Sequence, residues 1–211
     1  MGVGTETGGG QWLSVVKGNL TQRVKAGTEN AVERILEKGP NTGTTVHELR
    51  FNYLEGSLEK VYLQETDFGK SWVFVVDDGA NKFNLTVGYS SGYASGLLAR
   101  LPNIDVADVI KIKSFYIKGD DDKYRGYLTI EQGGQKIAKA YTKEEPNGCP
   151  EIKQIEVNGE KVWDSTKRMK FFEKIVEGIN AKIVAVNPLA DEFLEDKDTP
   201  AEEEPETDLP F

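Results

Sequence analysis

Along the middle of this chain apolar and polar side chains alternate with a period of two, the mark of half-buried β-strands. From Trp12 to Lys25 the alternation predicts two short strands turned by Lys17-Gly18-Asn19. Thr28 to Lys38 predicts a short helix with Thr28 as its cap, Val32, Ile35 and Leu36 on one side, and Gly39-Pro40-Asn41 as its stop. Val46 to Thr66 predicts a long strand carrying Leu49, Phe51, Tyr53, Val61 and Leu63, with Gly56 marking a bulge or sharp bend. Two more strands follow, Trp72 to Val76 and Lys82 to Tyr89, joined through Asp77-Asp78-Gly79-Ala80-Asn81. Leu97, Leu98 and Leu101 fit a short helix within Ser90 to Leu101, ending before Pro102.

Val109 to Lys118 and Lys123 to Glu131 predict a hairpin with Asp120-Asp121-Asp122 at its tip, and Gln135 to Tyr141 extends or follows it. Glu151 to Trp163 reads as one more hairpin through Asn158-Gly159. Asp164-Ser165-Thr166 then caps a helix whose Met169, Phe172, Ile175, Val176 and Ile179 repeat at helical spacing, as a helix covering a barrel does.

Three strands, a short helix, then two strands is the order of an OB-fold, a small five-stranded Greek-key barrel. An over-long, bent first strand suits it, because that strand must pair in both halves. Another small barrel or a sandwich gives a similar strand rhythm; the position of the helix favours the OB-fold. The expected architecture is therefore mainly β: residues 1–10 as a glycine-rich flexible start, 11–188 as the barrel with added N-terminal strands and a C-terminal covering helix, and 189–211 as a disordered acidic tail.

Charge changes this picture at one end. Residues Ala190 to Phe211 hold ten acidic side chains and one lysine, which equals the net −9 of the whole chain and leaves 25 acidic and 25 basic residues elsewhere. A like-charged run with prolines at 200, 205 and 210 buries too little apolar surface to offset its ordering entropy. It nevertheless closes on Asp208-Leu209-Pro210-Phe211, a pattern a partner with a basic-rimmed apolar pocket would grip. The body carries a local basic excess, with eight Lys/Arg against four Asp/Glu over positions 111–143. No apolar run approaches the ~20 residues that span a bilayer, and the N-terminus lacks the plan of a secretory signal. With one cysteine, Cys149, there is no internal disulfide, and the expected compartment is the cytoplasm.

Alternation in the predicted barrel sorts the candidate binding residues. One face would interleave Trp72, Phe74, Phe115 and Tyr127 with Lys82, Lys111, Lys113, Lys123 and Arg125. Cations that track a phosphate backbone and rings that stack on unpaired bases are what a single-stranded nucleic acid requires. The same pattern also fits Trp72 and Phe74 in the core with lysines wetting an outer face. Tyr89 and Tyr93, around Ser90-Ser91-Gly92, are further stacking candidates or ordinary packing.

Catalytic and metal motifs are weak. Gly69-Lys70-Ser71 resembles the end of a phosphate-binding P-loop, but Gln64 stands where its leading glycine belongs and a strand follows instead of a helix. Asp120-Asp121-Asp122 lacks the later oxygen ligands of a calcium loop. His47 has no evident cysteine or serine partner and reads as structural, and Cys149 has no local base, so neither an enzyme, a metal nor a cofactor is expected.

The tail Glu202-Glu203-Glu204-Pro205-Glu206-Thr207-Asp208-Leu209-Pro210-Phe211 resembles that of the OB-fold single-stranded DNA-binding proteins of bacteria and their phages. The body looks like phage-encoded members in Val46-His47-Glu48-Leu49 through Leu54-Glu55-Gly56, in Asp67-Phe68-Gly69-Lys70, in Leu101-Pro102-Asn103-Ile104-Asp105 and in Val162-Trp163-Asp164. The similarity runs from about Trp12 to Phe172 plus the tail. It implies non-catalytic, sequence-independent coating of single-stranded DNA in replication, recombination and repair, with Asp208, Leu209, Pro210 and Phe211 recruiting a polymerase, primase or helicase. The extra N-terminal segment and the helix at 165–180 depart from the compact tetramers of the cellular members, which implies a monomer or homodimer.

Overall fold

The computed structural model describes residues 10–188 except Lys38, Pro40, Phe68, residues 119–121, Lys123 and Asn158, and gives only the backbone of Tyr124 and Val157. The protein is mainly β, a curled sheet with a helix near its C-terminal end. β1 (Gln11–Val16) and β2 (Asn19–Val24) form a hairpin whose turn residues Lys17 and Gly18 both have positive φ, 46° and 76°. That is the two-residue turn whose twist matches paired strands.

The predicted helix at 28–38 is instead a strand, β3 (Val32–Ile35), paired antiparallel with β4 (Thr45–Phe51). Three apolar positions are too few to fix a helical face, and Val32 and Ile35 are β-branched. The strand edge is held by Arg34, whose Nε donates at 3.0 Å to each oxygen of the buried Glu48 carboxylate. Thr28 caps no helix; its hydroxyl donates to the Lys25 carbonyl.

The long strand predicted over 46–66 breaks at Asn52 into β4 and β5 (Tyr53–Thr66). β5 pairs through Tyr53–Gly56 with β8 (Ile110–Lys118), then through Ser57–Thr66 with β6 (Gly69–Asp77). The bulge lies between Leu58 and Lys60 and not at Gly56. Gly56 serves the partner switch differently, since a Cβ there would stand 2.3 Å from the Asp77 carbonyl oxygen. Only a glycine lets the two backbones cross so closely.

Next come β7 (Lys82–Gly88), α1 (Gly92–Leu98), β9 (Tyr124–Gln132) after β8, and a two-residue β10 (Gln135–Lys136), which is all that forms of the strand expected over 135–141. Ser91 caps α1, its hydroxyl accepting from the Ala94 N–H at 3.1 Å. The main sheet runs β10-β9-β8-β5-β6-β7-β1-β2-β4-β3, with β1 parallel to β7 and the other neighbours antiparallel. Its ends curl toward one another: a Cβ on Gly18 would meet the Tyr116 ring at 2.7 Å, and one on Gly126 of β9 would meet the Tyr93 hydroxyl at 2.1 Å. These close approaches tie the β1–β2 turn to β8 and β9, and α1 to β9, where no ladder connects them.

β11 (Lys153–Val157) and β12 (Glu160–Asp164) form a separate ribbon, followed by α2 (Thr166–Val186). Ser165 makes no side-chain cap; Asp164 does so instead, its Oδ1 accepting from the Thr166 N–H at 2.9 Å, and the Thr166 hydroxyl first, then that N–H, hold its carboxyl below the usual range. α2 buries Met169, Phe172, Val176, Ile179 and Ile183. Where β5 has left β8, α2 stands in for the missing strand: Asn180 Nδ2 donates to the Val61 carbonyl at 2.7 Å and Oδ1 accepts from the Val61 N–H at 3.0 Å. Both backbone groups of an otherwise open edge are thereby satisfied.

Candidate nucleic-acid interface

The strands β8, β9 and β5 position the site. In β8 the residues Ile110 and Ile112 point inward and are buried, so Lys111, Lys113, Phe115 and Ile117 take the outer face. Register then places Glu131, Thr129, Tyr127 and Arg125 of β9 opposite them, and Glu55 and Tyr53 of β5 opposite Lys111 and Lys113. Phe115 and Tyr127 stack at 5.6 Å between centroids with planes 21° apart. Lys136 of β10 lies 5.6 Å from the Phe115 centroid and Lys111 4.7 Å from the Tyr53 centroid, both within cation–π reach. Tyr53 is 54% exposed and Tyr127 41%, so both rings offer surface to solvent.

Lys111 meets Glu55 at 2.8 Å and Lys113 meets Glu131 at 3.1 Å. The hydrogen bond that Lys111 donates to the Glu55 carboxylate raises its ammonium above the ordinary range, so it stays charged. Ion pairs this open to water are weakened by solvent screening, so a phosphate can replace the carboxylate at little cost. Lys111, Lys113, Arg125 and Lys136 outnumber Glu55 and Glu131 on this face, which leaves it cationic. Thr129, opposite Lys113, is buried with its hydroxyl lacking a hydrogen-bond partner among the described residues.

Five of the predicted binding residues thus share one face: Lys111, Lys113, Phe115, Arg125 and Tyr127. Trp72 and Phe74 do not, being 1% and 0% exposed. β6 is apolar in both phases, so alternation alone did not tell its inside from its outside. Register does, because Trp72 faces Leu63 and Val87, and Phe74 faces Val61 and Leu85, all on the inner side. A sealed ring cannot stack on a base.

Tyr89 is likewise structural. It stacks on Trp72 at 5.9 Å, its carbonyl accepts from the Trp72 indole N–H at 3.2 Å, and its hydroxyl donates to Glu173 of α2 at 2.6 Å. Burial first, then Glu173, pushes the phenol well above its ordinary range. Tyr93 is half-buried at the junction with Gly126 and Gly18, and burial raises its phenol too.

Lys82 lies on the same outer surface but three strands from Lys111, and its ammonium pairs with Glu59 at 2.7 Å. Lys123 and the tail residues Asp208, Leu209, Pro210 and Phe211 lie outside the described residues, as do Asp120 and Asp121. Sequence reasoning missed Tyr53 and Lys136. Tyr53 follows the break at Asn52, which resets the strand, and Lys136 follows a Gly133-Gly134 turn with both φ positive. It also missed Trp12, 42% exposed, which shares the outer surface with its partner Asn84 on β7.

Among the described residues no three or more His, Cys, Asp or Glu side chains cluster to hold a metal, and no helix is long and apolar enough to cross a membrane. No family model, curated protein or solved structure matches the chain.

Proposed function

We propose that the protein binds single-stranded DNA without sequence preference and without catalysis, on the outer face of β8, β9 and the start of β5. The observation that carries this reading is the exposed Tyr127 ring stacked on the half-buried Phe115 and bordered by Lys111, Lys113, Arg125 and Lys136. Rings there stack on bases while the cations follow the phosphates. The succession β5-β6-β7-α1-β8-β9, with β5 pairing in both halves, supports an OB-like barrel, whose open edge at β7 is taken by β1. The acidic segment 190–211 competes for the cationic face and, through Asp208, Leu209, Pro210 and Phe211, recruits replication and recombination proteins. The setting is the cytoplasm of a bacterial cell, in service of a phage, with the protein a monomer or homodimer.

A titration of labelled oligo-dT tests this. Two to four phosphate contacts give an affinity loss of about 7- to 50-fold between ~50 and ~200 mM salt. Deleting residues 190–211 tightens binding, most at low salt, where screening is weakest. Absent or salt-independent binding contradicts the reading. Equal curves for the full and shortened chains remove the competition while leaving recruitment.

One observation favours a second reading, a protein-interaction module. The β11–β12 ribbon exposes Trp163 at 69%, Ile155 at 41% and Val162 at 39%, apolar surface of the kind a protein partner covers.

A further inference from the structure

A cavity of about 430 Å³ opens between α1, α2 and the segment 139–152, away from the Phe115–Tyr127 stack. Its lining includes three cations, Lys139, Lys143 and Arg168, one carboxylate, Glu151, and the rings of Tyr141 and Phe172. None of the three cations has an ion-pair partner among the described residues. Arg168 is held in place by its Nε, which donates to the Pro150 carbonyl at 2.8 Å. Tyr141 is fixed by an edge-on contact with Phe171 at 5.0 Å.

We propose that this cavity is a subsite for a nucleoside phosphate. Unpaired cations around one concavity call for an anion of more than one charge, and a phosphate offers several acceptor oxygens at once. The aromatic and apolar wall suits a planar base, and Glu151 accepts from a base amino group or a sugar hydroxyl. The Lys139 side chain reaches solvent, yet its ammonium sits below the ordinary lysine range, through partial burial first and then through Arg100 and Lys136. An anion seated there relieves that crowding. The choice of a nucleotide rests on the polynucleotide reading of the outer face, to which the cavity is linked by Lys136: it lies over Phe115 on one side and crowds Lys139 on the other. The ligand is then either a free mononucleotide or the phosphorylated end of a bound strand.

The chain's one cysteine is a built-in reporter, because Cys149 is in the cavity lining. The test follows alkylation of Cys149 in the full chain. Thymidine 5′-monophosphate at ten times its Kd is expected to slow the reaction about tenfold, and thymidine is not. Lys143→Glu, at an exposed position away from the thiol's own hydrogen bond with Arg168, abolishes the protection, while oligo-dT binding by the outer face is retained. Protection by 5′-phosphorylated oligo-dT, but not by its 5′-hydroxyl form, assigns the strand end; protection by the mononucleotide alone assigns a free ligand. Unchanged alkylation with both phosphorylated probes overturns the proposal, as does equal protection by inorganic phosphate, which needs no base. Protection by the mononucleotide in a chain that binds no oligo-dT upholds the cavity and overturns the reading of the outer face.

Discussion

Replacing Phe115 and Tyr127 together by alanine is expected to weaken oligo-dT binding by about 2–6 kcal/mol, at least roughly 30-fold, at ~1–3 kcal/mol for each base that loses a stacking ring. The two rings lie on facing positions of β8 and β9 and stack on each other, so they present one continuous platform. Neither ring belongs to the buried core, so the fold should tolerate the change; the thermal midpoint is measured alongside to separate the two effects. The salt slope should stay close to that of the parent chain, since Lys111, Lys113, Arg125 and Lys136 are untouched. Lys111→Glu with Lys113→Glu should behave in the opposite way, with a shallower slope and the stacking term kept. An alanine pair that binds as tightly as the parent removes the platform from the account.

The second large effect concerns Trp72. Alanine there should lower folding stability by about 3–5 kcal/mol, the usual cost of emptying a large aromatic from a core. That is a large part of the about 5–15 kcal/mol that a domain has in total. The indole is 1% exposed, stacks on Tyr89 and donates to the Tyr89 carbonyl, so its loss also loosens the Tyr89–Glu173 tie to α2. Urea denaturation reads the loss. Trp72→Phe keeps most of the volume, and its oligo-dT affinity should stay within about twofold of the parent, because the ring touches no ligand. A Trp72→Phe chain that folds normally but binds tenfold more weakly would return Trp72 to the binding surface.

The contrast between β6 and β8 shows what sequence alone conveys. In β8 one phase is Ile110 and Ile112 and the other Lys111 and Lys113, so burial could choose only one orientation and the outer face was legible. In β6 both phases are apolar, with Val73 as buried as Trp72, and the phase was set by Leu63, Val87, Val61 and Leu85 on neighbouring strands. Local turn chemistry was also legible, as in Lys17-Gly18 between β1 and β2. Features that depend on distant partners were not. The close crossing of Gly56 with Asp77, the Asn180 contact that closes the β5 edge, and the pairing of β3 with β4 all join residues that no local pattern connects. The cavity beside α2 belongs to the same class, since its cations come from positions 139, 143 and 168.

Photo-cross-linking to an oligo-dT that carries a halogenated uracil, followed by peptide mass spectrometry, locates the bound strand directly. The account predicts adducts on Tyr53, Phe115 and Tyr127, lost when excess unlabelled oligo-dT is added. Adducts confined to Trp163 and the β11–β12 ribbon, with none on β5, β8 or β9, would contradict it.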